Sequence, residues 1–121
     1  MECIFCKIIK GDIPSYTIYE NEYVKCFLDV SPITNGHTLI IPKTHFKDIY
    51  DIDEKTLIEI NKASKEIIKL LDEKLSPSGY KLQQNNGNLQ EVKHYHLHIV
   101  PSYLQNQEKD NVSNIYDKII K

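Results

Sequence analysis

His94-Tyr95-His96-Leu97-His98-Ile99-Val100-Pro101 carries three of the chain's five histidines, in strict alternation with large residues that favour strands. Side chains on a strand repeat every two residues. One face of this segment should therefore hold His94, His96 and His98 about 6.5 Å apart, while Tyr95, Leu97 and Ile99 point the other way, into a core. A polar row on such a strand is costly unless each member has a partner or a task. Two tasks fit imidazoles at this spacing. Histidines at i and i+2 can converge on one catalytic metal ion. Alternatively, the middle histidine is a nucleophile whose neighbours hold a charged group against it. A solvated polar row is the third reading, and the strict alternation speaks against it.

Upstream, Asn35-Gly36 marks a turn into a second apolar strand, His37-Thr38-Leu39-Ile40-Ile41-Pro42, and His45 follows it. Ser15–Tyr19 and Tyr23–Leu28, joined by Glu20-Asn21-Glu22, read as a hairpin. Asp29 leaves its second strand as a turn former, or as an acceptor for a ligand's hydroxyls. Cys26, inside that strand, reads as a small buried apolar group. Tyr80–Gln84 is a further strand, followed by the tight loop Asn85-Asn86-Gly87-Asn88. Between Asp51 and Leu75, apolar residues step at three and four. This predicts one long helix that starts at Asp51 or Asp53 and covers a sheet face. Lys7–Lys10 predicts one helical turn stopped by Gly11, and Asn111–Lys121 a short terminal helix with Val112, Ile115, Ile119 and Ile120 on one side. Together these give an α+β fold: a mostly antiparallel sheet of about five strands, one long helix and short terminal helices.

A chain of 121 residues makes a single domain, residues 1–121, with one core. A balance of 40% hydrophobic and 26% charged residues is that of an ordinary soluble domain. The net charge of -2 argues against a nucleic-acid partner. No run approaches the ~18 apolar residues of a membrane span. Met1-Glu2-Cys3-Ile4-Phe5-Cys6 is not the start of a signal peptide. Three cysteines make no paired framework, which points to a reducing, cytoplasmic setting. Cys3-Ile4-Phe5-Cys6 is either a redox dithiol or half of a tetrahedral metal site that takes two ligands from elsewhere.

Laid out in order, the chain resembles the histidine triad (HIT) family over nearly its whole length. The resemblance is carried by Cys3-Ile-Phe-Cys6, Asp12-Ile-Pro-Ser, Phe27-Leu-Asp29-Val-Ser31-Pro32, Gly36-His37-Thr-Leu-Ile-Ile-Pro42-Lys-Thr-His45, Asn85-Asn86-Gly87 and His94-x-His96-x-His98. It implies a HIT-like fold and hydrolysis of nucleotidyl phosphoramidates or related conjugates, purine ones in the first place, through a covalent nucleotidyl-histidine in a homodimer. By position, His96 is then the nucleophile and His37 and His98 its phosphate-binding partners. Asp29 meets the ribose hydroxyls. Ile4, Phe5, Ile13, Phe27 and Val30 surround the base, and Asn85, Gly87 and Gln90 support the triad and phosphate. Some branches complete the paired cysteines with two histidines. Here that implies one structural zinc on Cys3, Cys6, His45 and His94.

The chain departs from the family pattern between Gly87 and Gln90. The loop is about two residues shorter than in many relatives, Leu89 replaces a usual glycine, and Glu91 stands where some animal relatives carry a serine near the leaving group. Near neutrality histidine supplies both a neutral nucleophile and a cationic phosphate clamp. No P-loop and no carboxylate cluster offers another route to phosphate chemistry. Two further readings compete: a zinc-dependent hydrolase built on the His94/His96/His98 row, and a nucleotide-binding regulatory protein with little turnover.

Overall fold

The computed structural model describes residues 3–121; Met1 and Glu2, which the signal-peptide reading included, lie outside it. In chain order the elements are α1 (Ile4–Lys10), β1 (Thr17–Glu20), β2 (Val24–Leu28), β3 (Thr38–Pro42), α2 (Glu54–Leu75), β4 (Gly79–Gln84), a 3₁₀ turn (Gly87–Leu89), β5 (Leu97–Ser102) and α3 (Val112–Ile120). The strands form one antiparallel sheet in the order β1-β2-β3-β5-β4. The α+β architecture is the one expected, and all five strands fall where the sequence puts them to within a few residues.

The long helix begins where its cap dictates. The Asp53 carboxylate accepts the Thr56 N–H at 2.8 Å, which ties down a donor that the first turn leaves free. The inward stripe of α2 is Thr56, Ile60, Ala63, Ser64, Ile67 and Leu71. It packs with Ile115 and Ile119 of α3 against Val24, Cys26, Leu28, Ile40, Leu97 and Ile99 on one face of the sheet. Ile120, expected on the buried side of α3, is exposed. Cys26 is fully enclosed in this core, and burial pushes its thiol up to about 12, so it behaves as an apolar filler.

The opposite face is also covered. Phe5 and Ile8 of α1 lie on Phe27, Leu39 and Ile41, the residues that alternate with the first set along β2 and β3. For this reason every residue of β3 is buried. The turn expected at Lys7–Lys10 is the end of this longer helix. It closes on Gly11, whose φ of 86° is left-handed.

Gly36 positions the site directly. It sits at φ +91°, and a Cβ there would come within 2.7 Å of Leu75 Cδ1 and 3.3 Å of Pro101 Cγ. Only a residue without a side chain lets the turn pass between the end of α2 and β5, which puts His37 at the head of β3.

Candidate active site and metal centre

The histidine strand starts later than expected. β5 pairs with β3 at Leu97↔Ile40, His98↔Leu39 and Ile99↔Thr38, and the ladder stops there. His94, Tyr95 and His96 precede it because side chains take the local carbonyls. His94 Nε2–H donates to Pro42 O at 2.9 Å, and His96 Nδ1–H to His94 O at 2.8 Å, while Tyr95 N–H reaches Phe46 O at 2.7 Å. Alternation survives outside the ladder. Tyr95, Leu97 and Ile99 enter the α2 core, while Phe5 of α1 lies edge-on to both His94 and His96, with ring centroids 5.8 and 5.1 Å away.

These bonds split the row in two. With its proton on Nε2, His94 turns the Nδ1 lone pair toward the thiols: Cys3 Sγ lies 3.5 Å and Cys6 Sγ 3.7 Å from that nitrogen. His45 Nδ1 is 3.3 Å from Cys6 Sγ. One donor atom from each of the four residues falls within 4.8 Å of all the others. A tetrahedral zinc with Zn–S near 2.3 Å and Zn–N near 2.05 Å sets S···N edges of about 3.6 Å, so the donor set fits such an ion. Burial lowers His94 to about 4, which keeps the ring neutral as a ligand must be, and the Pro42 carbonyl fixes its tautomer. His96 Nδ1 is turned away to the His94 carbonyl, so the row as a whole does not converge on one metal.

The second half is a chain of imidazoles. Asp29, His37 and His98 also bring ligand atoms within 4.8 Å of one another, but the Ile33 N–H donates to His37 Nδ1 at 3.1 Å. Neutral His37 therefore holds its proton on Nε2 and donates it to His98 Nδ1 at 3.0 Å, with Asp29 Oδ2 3.7 Å away. That proton occupies the direction a metal bond would need. His98 in turn keeps its proton on Nε2. His96 stands beside it, ring centroids 4.9 Å apart, with Nδ1–H committed and the Nε2 lone pair free.

Burial pushes all three of these histidines below their ordinary value, His98 to about 4, with His96 and His37 adding to the effect there. Asp29 opposes the shift in each, and Glu91 opposes it in His96. Burial thus favours the neutral form of these rings over the expected cationic clamp. They offer N–H donors instead of charges.

A cavity of about 260 Å³ opens against His96 and His98. It gathers every residue expected around the base: Ile4, Phe5, Ile13, Phe27 and Val30, with Asp29 at its edge. Asp29 Oδ1 accepts Ser31 N–H at 2.9 Å, so the residue is also the turn former that its position suggests, with the other oxygen left for a ligand. Asn85 lines a second cavity, of about 210 Å³, on the β4 side of the same two histidines. Gly87 and Gln90 line neither. The Gly87 carbonyl accepts Lys93 Nζ at 2.9 Å. Gln90 is buried with its amide donating to Lys47 O and its Oε1 without a partner. The sequence reading missed Lys81 and Gln83, which share the second cavity with Asn85. Their every-other-residue spacing on a strand beside the histidines was the available signal.

A sheet with its His37 and His96/His98 rings on one face and a Cys3, Cys6, His45, His94 cluster beside them defines a class of protein. The HIT domain matches residues 10–105, and the chain belongs to the HIT family. It is 46% identical over 103 residues to the protein hit of Bacillus subtilis, covering 84% of this chain and 71% of that one. It is 44% identical over 105 residues to the adenosine 5'-monophosphoramidase HNT1 of Candida albicans, covering 82% and 69%. A zinc-bound histidine triad family protein from Mycobacterium smegmatis superposes with a TM-score of 0.87 at 33% identity, over 99% of this chain and 94% of that one. No helix among the described residues is long and apolar enough to cross a membrane.

Proposed function

We propose that this chain hydrolyses nucleoside phosphoramidates or related nucleotide conjugates through a covalent nucleotidyl-histidine on His96. The observation that carries this reading is the His96 tautomer. Its Nδ1–H is held by the His94 carbonyl, which leaves the lone pair on Nε2 of a ring that lines both cavities. His96 Nε2 attacks phosphorus, the P–N bond breaks, and the amine leaves with a proton taken from solvent, which the hydrolytic water of the next step returns. Water then attacks the same phosphorus, releasing the nucleoside monophosphate and restoring the imidazole. His98 Nε2–H, backed by His37, donates to a phosphate oxygen as charge develops. Gly87 and Gln90 act by positioning: the buried Gln90 amide anchors the loop before Glu91 to the Lys47 carbonyl. The apolar base cavity suits a purine. The similarity to a named phosphoramidase supports the assignment. Rates over a panel of nucleoside phosphoramidates and dinucleoside polyphosphates test it, and binding without product would favour the regulatory reading.

Asp29 carries the ribose contact in this proposal. Asp29→Asn keeps the acceptor for Ser31 N–H and removes the charged acceptor facing the cavity. It should weaken nucleotide affinity by about 1.5–3 kcal/mol, measured as Kd by calorimetry on the folded variant. An unchanged Kd would leave Asp29 as a turn former alone.

We assign Cys3, Cys6, His45 and His94 to one structural zinc, whose contribution when bound is to clip α1 to the start of the histidine segment. Cys3, Cys6 and Cys26 are free thiols, in keeping with a cytoplasmic location. We further propose a two-fold homodimer. β4 is an edge strand whose exposed Leu82 lies on the same chain as the exposed Ile58 of α2, and both are surface that a second copy would cover. Light scattering at micromolar concentration should give twice the 14.1 kDa chain mass.

A further inference from the structure

Three cavities run in line across the triad side of the sheet. The base cavity shares Glu91, His96 and His98 with the second, and the second shares Ile33, Lys81 and Val100 with a third of about 380 Å³ beyond it. A nucleotide whose phosphorus sits at His96 and whose base fills the first cavity must send its leaving group into the second. Glu91 and Lys81 are the only charged side chains lining that second cavity. Among the described residues neither has a hydrogen-bond or ion-pair partner. Register fixes their order. Gln83 is opposite His98 and Lys81 opposite Val100, so Lys81 lies one strand repeat, about 6.5 Å, farther from the reacting centre. Glu91, shared with the base cavity, is at the near end.

We propose that Glu91 and Lys81 set the charge preference of a leaving-group subsite. This rests on the phosphoramidase reading and names its substrate class: amines that carry a cationic or N–H-rich group close to the P–N bond and an anionic group farther out. Glu91 accepts from the near group and Lys81 pairs with the far one. An anion and a cation spaced along the walls of one solvent-open cleft favour a dipolar occupant of matching orientation, and each disfavours the opposite arrangement. The continuation into the third cavity leaves room for an extended amine.

The test uses the full-length, zinc-loaded protein and adenosine phosphoramidates that differ only in the arm on nitrogen: propyl, an arm ending in an ammonium, and an arm ending in a carboxylate. The readout is each charged arm's kcat/KM divided by that of propyl. Glu91→Gln should lower the ammonium ratio about tenfold, and Lys81→Met the carboxylate ratio about tenfold, as expected for one charge-assisted bond. Glu91→Lys should invert the preference. Ratios that stay put, or that move alike for both arms, overturn the proposal. Failure of the underlying reading looks different: the wild type would turn over none of the three, or His96→Ala would turn over all of them.

Discussion

His96→Ala should lower kcat by at least ~10³-fold, because it removes the covalent route itself and not a contact along it. The same protein should keep its zinc, since His96 Nδ1 points to the His94 carbonyl and not to the cysteines. Denaturing gels of wild type quenched during turnover of radiolabelled substrate should show an acid-labile nucleotidyl adduct that the variant lacks. The result separates two chemistries. If the row held a catalytic metal, the substitution would strip the ion together with the activity, and added zinc would restore part of both. Near-normal turnover in the variant would dismiss the nucleophile.

The second large effect falls on stability. Zinc bound by Cys3, Cys6, His45 and His94 at a thousandfold excess over its dissociation constant would stabilise the folded chain by about 4 kcal/mol through linkage. In a domain of this size that corresponds to a Tm difference on the order of 10–20 °C between the metal-loaded protein and the Cys3→Ser/Cys6→Ser variant. Calorimetry with elemental analysis reads both quantities. Binding must displace the Cys6 proton, which burial and the neighbouring Cys3 hold more tightly than usual, so the Tm gap should close as pH falls. A double-serine variant with the wild-type Tm and no metal in either protein would remove the zinc assignment.

Much of this site could be read from the chain because its signals are local. Alternation at 94–100 puts the imidazoles on one side, Asp53 caps a periodic helix, and Asn35-Gly36 turns into an apolar strand that ends at Pro42. Of the positions transferred from the family resemblance, Ile4, Phe5, Ile13, Phe27, Asp29, Val30, His96 and His98 gather around one cavity, whereas Asn85 lines a second and Gly87 and Gln90 line neither. The division of labour within the row was not legible. It depends on which carbonyl each imidazole meets, and the Pro42 carbonyl is 52 residues from His94. The downward pull on the triad's pKa values was equally hidden, because it comes from burial in the assembled fold, with Phe5 of α1 packed against His96. Lys81 and Gln83 escaped notice because polar residues on an edge strand look like ordinary solvent-facing positions until the sheet order places β4 beside β5.

The Cys3, Cys6, His45, His94 cluster brings together the two ends of a long stretch of chain: Cys3 and His94 are separated by 91 residues. During synthesis the cysteines leave the ribosome first and wait for His45 and then for His94. At ~5–20 residues per second, about 5–20 seconds pass before the last ligand emerges. The apolar side of α1 already has a surface to close upon in that interval, since Phe27, Leu39 and Ile41 of β2 and β3 precede the histidine segment in the chain. The newborn chain thus completes the Cys3, Cys6, His45 and His94 donor set only when His94 emerges, and the imidazoles of His96 and His98 follow within the next few residues.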